Sequence, residues 1–501
     1  MRRALALLIA LAAGLHAACD QDLSFGTGGV RTYTNPSGGA NAIGTDLLVL
    51  SDGRLLVAGS GERPGGDRDA VWWGLDSSGN QVASGGLHSM AGGVDEDFYA
   101  AAQASIGGPV YLAGSAVAAS GATLTVVARL SFPALTLDTT FGTNGWITRT
   151  GGSSTCGLVV DSSGRPCLAE GQTLTRFLAT GAPDTSFGSS GTFAFSAAGL
   201  AMDMALDSAG RFVISGSSSG GTTLWRVLAT AAMDNSFGTG GVWAAIYGSF
   251  GISQESLAAL AIAADDSVAA VGMIFTPPST SQAQMFKYHP ATNSADHAGG
   301  ASVSSFFGQE GAFGVVLNGD GSALICGKTV SGVVTYPSLW SLSPGWNPDI
   351  FFSPSGQRTL SSTPGSMTRM RRSSRLSGYI TGQAGSSMGL WKFNGCDSVD
   401  TTPIPILPSG ASSTRPVAFP QPAKDKLTIA FESPESAEVE LRIFDESGRL
   451  KGMQRPYVGA GTANLEVETK DYAPGIYIYT LQLKLAAGTR YLGPAKFAVR
   501  P

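Results

Sequence analysis

The sequence predicts an all-β fold, a seven-bladed β-propeller followed by a small Ig-like β-sandwich, and three observations predict it. A hairpin phrase recurs seven times at nearly constant spacing, a second phrase links the copies, and the composition changes abruptly over residues 417–501. At 501 residues the chain exceeds what one core usually serves, so a repeat architecture or several domains is expected. Glycine is abundant (68 residues), yet 43% of residues are hydrophobic and only 14% charged. Short strands joined by tight turns satisfy these numbers and disorder does not. A net charge of -5 leaves no electrostatic footprint for nucleic acid.

Residues 1–18 read as a signal peptide. Arg2 and Arg3 form the positive start, Ala4 to Leu15 the apolar stretch, and Ala17 and Ala18 the small residues a peptidase needs. The stretch is short for a membrane span, and the other long apolar run, Leu257 to Ile274, is interrupted by Asp265 and Asp266. The expectation is a secreted or cell-surface protein with no transmembrane helix after signal removal, in a compartment where disulfides persist. Lipidation of Cys19 is the competing reading, although His16 stands where lipoproteins favour an aliphatic residue.

Residues 19–396 carry the repeats. The clearest copy runs from Leu47 to Gly59: an apolar strand, the turn Ser51-Asp52-Gly53, then a second apolar strand closing on Ala58-Gly59. Weaker copies close on Gly114, Gly171, Gly216, Gly272, Gly327 and Gly382, in steps of 55, 57, 45, 56, 55 and 55. Asp161-Ser162-Ser163-Gly164, Asp207-Ser208-Ala209-Gly210 and Asn318-Gly319-Asp320-Gly321 supply the turn chemistry of a hairpin. A third strand follows with an aromatic or basic residue, as in Leu224-Trp225-Arg226-Val227 and Leu390-Trp391-Lys392-Phe393. A repeat of about 54 residues suits one four-stranded blade. A solenoid would need capping ends, and none is recognisable.

The linking phrase reads Leu137-Asp138-Thr139-Thr140-Phe141-Gly142, Pro183-Asp184-Thr185-Ser186-Phe187-Gly188 and Met233-Asp234-Asn235-Ser236-Phe237-Gly238, with a degenerate copy at Pro348-Asp349-Ile350-Phe351-Phe352. Its Asp suits a turn cap, its Phe a plug between neighbouring units and its Gly a change of chain direction. These residues resemble the delta-60 repeat family of secreted bacterial proteins, whose repeats are read as propeller blades; the likeness covers roughly residues 20 to 395. The first linking phrase, Asp22-Leu23-Ser24-Phe25-Gly26, has no strand before it, and the last third strand, Trp391-Lys392-Phe393, has no linking phrase after it. Each end holds what the other lacks, so the N-terminus is expected to complete the last blade. In the fourth repeat Trp225 precedes Asp234 by nine residues; at the seam Trp391 to Cys396 is five and Cys19 to Asp22 is three. A Cys19–Cys396 disulfide stapling the ring is therefore expected, with a stabilisation of about 2–5 kcal/mol. Cys156 and Cys167 flank a hairpin turn and are candidates for a diagonal pair, whereas Cys326 reads as a small buried hydrophobe.

Residues 397–416 form a Pro-, Ser- and Thr-rich linker, and 417–501 a separate domain. Period-two alternation marks Glu438 to Phe444, with Val439, Leu441 and Ile443 on one face, and later strands fall at Gly475 to Tyr479 and Lys496 to Val499. Pro420-Gln421-Pro422, Ile443-Phe444-Asp445 through Gly448, and Ala473-Pro474-Gly475-Ile476-Tyr477 resemble the C-terminal sorting domain of the type IX secretion system. Gln421 departs from the Asn usual there. The resemblance implies export through secretion machinery acting on 417–501.

No cofactor, metal or catalytic residue is expected: the histidines lack ligand spacing, and no phosphate loop or nucleophile elbow occurs. Asp22, Asp138, Asp184 and Asp234, with Phe25, Phe141, Phe187 and Phe237, recur as structural residues do. One run breaks the repeat. Arg369, Arg371, Arg372 and Arg375 fall at the seventh hairpin and could form an anion site for a glycan or surface polymer, or simply a solvated loop. The functional expectation is a non-catalytic binding or display protein. The alternative is a polysaccharide hydrolase or lyase with carboxylates in the propeller's central channel, which fold alone cannot decide.

Overall fold

The computed structural model describes residues 20–394 and 417–500, apart from 88–94, 105–106, 154, 196–198, 219–220, 246–253, 277–279, 300–307, 319–320, 350–352, 354–356, 362, 373–376, 420–422, 446–449 and 486–487. The signal segment, Cys19, Arg375, Cys396 and the linker lie outside the described residues. Two compact units divide the chain, Met1–Asp400 and Thr401–Pro501. The regular elements among the described residues are all β-strands.

In the first unit, strands follow one another in sheet order as they do in sequence. Gly199–Leu206 pairs with Phe212–Ser218, that strand with Gly221–Val227, and that with Val242–Ala245, all antiparallel. Four-stranded sheets of the same order run from Cys156–Val160 to Thr192–Ala194, from Gln254–Ile262 to Ser294–Gly299, and from Gly308–Leu317 to Gln357–Thr359. Two further sets, Ala42–Val49 to Gln81–Leu87 and Asp95–Gln103 to Trp146–Thr150, are joined into one sheet by a single parallel bridge, Arg68 to Asp95.

The remaining sheet draws on both ends of the unit. Gly365–Arg372, Ser377–Ala384 and Ser387–Asn394 are consecutive, and Asp20–Gln21 and Val30–Tyr33 both pair with Ser387–Asn394. Asp20 stands opposite Asn394 and Val30 opposite Trp391. The first strands of consecutive sheets pack side by side along the unit, and Gly365–Arg372 packs against Ala42–Val49.

The recurring glycine has a backbone cause. Six first strands carry a β-bulge at the same ladder position, at Thr45, Tyr99, Met202, Ala258, Phe313 and Thr368. Beside each bulge, on the second strand, stands Gly59, Gly114, Gly216, Gly272, Gly327 or Gly382. A Cβ there would lie 1.8–2.0 Å from a carbonyl oxygen of the bulged strand. The third hairpin has no bulge, and its copy must be realigned. Glu170, opposite Cys156, holds the glycine's ladder position, and Gly171 lies one residue further at a φ of +52°. With no bulge to push a carbonyl forward, a side chain fits.

Aromatic burial fills the sheets. Trp73, Trp225, Trp340 and Trp391 occupy one ladder position of the third strand, opposite Val57, Ile214, Ile325 and Ile380, and all four are fully buried. The diagonal pairing of Cys156 with Cys167 does not form. Cys156 faces across to Glu170 and Cys167 to Val159, an odd offset that sends the thiols to opposite faces of the hairpin and into different apolar clusters. Both thiols are buried and free, as is Cys326.

The second unit holds a three-stranded sheet, Val417–Phe419, Lys426–Ser433 and Gly461–Glu468, and a five-stranded one. The latter is ordered Leu450–Gln454, Ala437–Asp445, Gly475–Leu485, Gly488–Val499, with Tyr457–Val458 also on Ala437–Asp445. Leu427, Ile429, Leu465 and Val467 of one sheet share a core with Val439, Leu441, Tyr479 and Leu481 of the other. The alternating burial of Gly461–Glu468 is what one wet and one dry face require.

Candidate functional site

Each linking phrase ties a third strand to the turn that follows it. Arg176 and Arg226, each one residue past the ladder position of the buried tryptophans, donate from Nε to Asp184 at 2.9 Å and Asp234 at 2.8 Å. Arg129 reaches Asp138 in the same way at 2.9 Å, and Lys392 reaches Asp22 at 3.3 Å. The second carboxylate oxygen caps the turn: Ser186 donates to Asp184 from its amide at 3.1 Å and from its hydroxyl at 2.6 Å. Ser24, Thr140 and Ser236 do likewise for Asp22, Asp138 and Asp234.

The guanidinium groups also lie over the phrase's own phenylalanine: Arg129 over Phe141 at 5.1 Å, Arg176 over Phe187 at 4.5 Å and Arg226 over Phe237 at 4.6 Å. These rings are buried, and two meet an aromatic of the following sheet edge-on, Phe187 with Phe212 and Phe237 with Tyr288. The phrase's glycines, Gly26, Gly142, Gly188 and Gly238, sit at φ between +52° and +68°, where a Cβ would also strike a carbonyl oxygen at 2.0–2.3 Å. The carboxylates are correspondingly acidic. The Ser24 hydroxyl, helped by Asn394 and Lys392, holds Asp22 down at about 2, and the Ser186 hydroxyl with Arg176 holds Asp184 at about 2. Thr140 lowers Asp138; at Asp234 burial pushes upward but Ser236 and Arg226 outweigh it.

A second constellation lies where the first strands meet. The residue just past the bulge, together with Gly157 in the unbulged strand, forms one column through the repeats: Asp46, Ala100, Gly157, Asp203, Ala259, Gly314 and Arg369. Four members are Ala or Gly, and close approach explains two of them. A Cβ on Gly157 would meet the Met204 amide nitrogen at 2.5 Å, and one on Gly314 the Met370 nitrogen at 2.9 Å.

The three charged members join. Arg369 Nε lies 3.0 Å from Asp46 Oδ1, and Arg369 Nη1 donates to Asp203 Oδ2 at 2.7 Å. All three are buried, at 5%, 2% and 8% exposure for Arg369, Asp46 and Asp203. Asp46 also accepts from the Leu47 and Ala101 amides, both at 2.8 Å, and Asp203 from those of Met204 at 2.9 Å and Leu260 at 3.0 Å. Ala101 and Leu260 belong to the first strand of the next sheet, so each carboxylate also bonds across a sheet boundary. Thr45 and Thr368 cross boundaries too, donating to the Phe98 and Gly44 carbonyls at 2.5 Å. Burial alone would lower the Arg369 guanidinium, but Asp203 and Asp46 outweigh it and keep it firmly charged.

This geometry corrects the placement of the arginine run. Arg369 and Arg371 are not on a solvated hairpin loop; they lie on the strand Gly365–Arg372, and Arg371 Nη2 is 3.3 Å from Asp46. The bulge at Thr368 turns Arg369 inward to its two carboxylates. Arg372 is the strand's last residue, and Arg375 falls outside the described residues. Sequence reasoning missed Asp46 and Asp203. Aligning the copies on their glycines would have put both in the column with Arg369, the only charged residues there.

Among the described residues no group of three or more His, Cys, Asp or Glu is arranged to hold a metal ion, and no helix is long and apolar enough to cross a membrane. Residues 417–490 match the family of secretion system C-terminal sorting domains. No curated protein matches the sequence. Among solved structures, Sqt1 from Chaetomium thermophilum is similar at 12% identity and a TM-score of 0.43, over 72% of this chain and 96% of that one. A protein from Lactobacillus plantarum is similar at 12% identity and a TM-score of 0.41, over 83% and 99% of the two chains. Likenesses this distant assign the chain neither a fold nor an activity.

Proposed function

We propose that this secreted all-β protein is a non-catalytic binding or display module: a closed seven-bladed propeller delivered by an Ig-like sorting tail. The match of residues 417–490 to sorting domains carries the delivery half of the reading. Closure is supported by the pairing of Asp20–Gln21 and Val30–Tyr33 with Ser387–Asn394, and by the packing of Gly365–Arg372 on Ala42–Val49. Such a ring leaves fewer open edges than a solenoid of the same hairpins. In the second unit, two sheets sharing one core favour the sandwich. The Asp20–Asn394 pairing also brings the chain next to Cys19 beside the chain leading to Cys396, which supports the disulfide staple.

A glycosidase or lyase working in the channel needs carboxylates that can reach a sugar. Asp46 and Asp203 are buried and spend their oxygens on Arg369 and on backbone amides. The anion-binding reading is thinned as well: with Arg369 and Arg371 on internal carboxylates, Arg372 and Arg375 are what remain for a glycan or surface polymer.

The test is the intact mass of protein recovered outside a host with the matching secretion machinery, for the full chain and for one ending at residue 416. The product of the full chain found outside with residues 1–18 removed, and the shortened chain retained, is the expected result. Equal export of both would remove the sorting role. Alkylation of Cys19 and Cys396 only after reduction would support the staple, and uptake without reductant would refute it.

A further inference from the structure

We infer that the buried Arg369–Asp46–Asp203 triad is an electrostatic latch that makes the strand Gly365–Arg372 of the last repeat obligatory for the fold of the first and fourth repeats. The column that supplies it has one position per repeat, and only these three positions are charged. Asp46 comes from the first repeat, Asp203 from the fourth and Arg369 from the seventh, and the guanidinium forms ion pairs with both carboxylates at once. A completed fold without the guanidinium would leave two carboxylates in a site almost closed to solvent. That is far more costly than a surface charge left alone. The small residues Ala100, Gly157, Ala259 and Gly314 offer no other side chain in the column to satisfy them. Arg371 reaches Asp46 but has no bond to Asp203, so it cannot replace Arg369.

The latch predicts a difference between breaking the triad and removing it. Other groups facing it are Arg371, the buried Cys156 and Cys326 thiols, and Glu170, which acts on Cys156 from the third sheet. The thiols are held protonated by burial, Cys326 being pushed up to about 12, so they do not titrate between pH 5 and 8. Glu170 is raised by burial, but its nearest partners are Thr125 and Arg149 rather than the triad.

The experiment compares three full-length proteins by thermal unfolding at pH 7.5: the native chain, Arg369→Met, and the triple variant Asp46→Asn, Asp203→Asn, Arg369→Met. Arg369→Met is expected to lower the midpoint by about 5–10 °C. The triple variant, which leaves no uncompensated charge, should recover most of the loss. If Arg369→Met matches the native chain, the latch is refuted. If Arg369→Met fails to fold, recovery of folding in the triple variant supports the latch. A triple variant no better than the single one overturns it, since shape rather than charge would then be what Arg369 supplies.

Discussion

One added methyl group tests the ladder geometry of the repeat. Gly216→Ala would put a Cβ 1.9 Å from the Leu200 carbonyl oxygen, with the buried Trp225 ring 3.2 Å away. A loss of about 1–3 kcal/mol or more is expected in chemical denaturation. Gly53→Ala, in a hairpin turn with nothing within 4 Å, meets only the strain of its positive φ and should cost about 1 kcal/mol. Equal losses for the two would mean that conformational freedom, and not the bulge, selects the repeat glycine.

A second residue-scale expectation concerns acid. An unfolded aspartate titrates near 3.9, and Asp184 in the fold near 2. Because the folded value is the lower one, the stabilisation is complete above about pH 4 and is lost as pH falls through about 2. Asp184→Asn should be less stable than the native chain at pH 7, with the gap narrowing between pH 4 and 2. A constant gap across that range would show that Asp184 acts by shape alone.

Among the elements, the strands Asp20–Gln21 and Val30–Tyr33 have the most to hold. They cover the outer side of Ser387–Asn394, whose other neighbour is Ser377–Ala384, and Phe25 between them packs with Tyr379 of that sheet at 6.0 Å. Removing residues 20–33 should leave Ser387–Asn394 an open edge, expected to bring self-association and a lower unfolding midpoint. Light scattering at increasing protein concentration checks this; a shortened chain that stays monomeric with an unchanged midpoint would show the strands to be ornamental.

Element by element, what was legible in the sequence follows from what repeats. The seven hairpins were readable because a crowded carbonyl demands glycine at six of them, and the linking phrase because Asp184 and Asp234 meet the same donors each time. Glu170 was misaligned by one residue because its hairpin alone lacks the bulge. The arginine run was harder still. A cluster of four basic residues ordinarily marks a wet loop, and nothing near Arg369 in the chain announces Asp46 or Asp203. The pairing exists only in three dimensions, in a column where Arg369 is the one basic residue.

At the scale of the whole molecule, the first unit is a set of similar sheets made distinct by a few unique residues. Most of its stability comes from repeated apolar contacts, such as the buried tryptophans and the motif phenylalanines, which any copy would make with any neighbour. Uniform contacts of that kind do not say how many sheets there should be, or which follows which. The triad supplies that information: with one sheet more or fewer, Arg369 would no longer arrive opposite both aspartates. This is an economical way to count, since three side chains discriminate among repeat numbers that the rest of the sequence leaves nearly equivalent.

The pairing of Asp20 with Asn394 also sets an order of events. A chain made from its N-terminus presents residues 20–33 before the rest of the repeats, yet their partner strand is the final one. That β-segment must therefore wait, unzipped, until the rest of the unit has been made. Asp22, Ser24 and Arg31 give this segment polar groups that suit a long stay in water, and the act that ends the wait is the same one that finishes the fold.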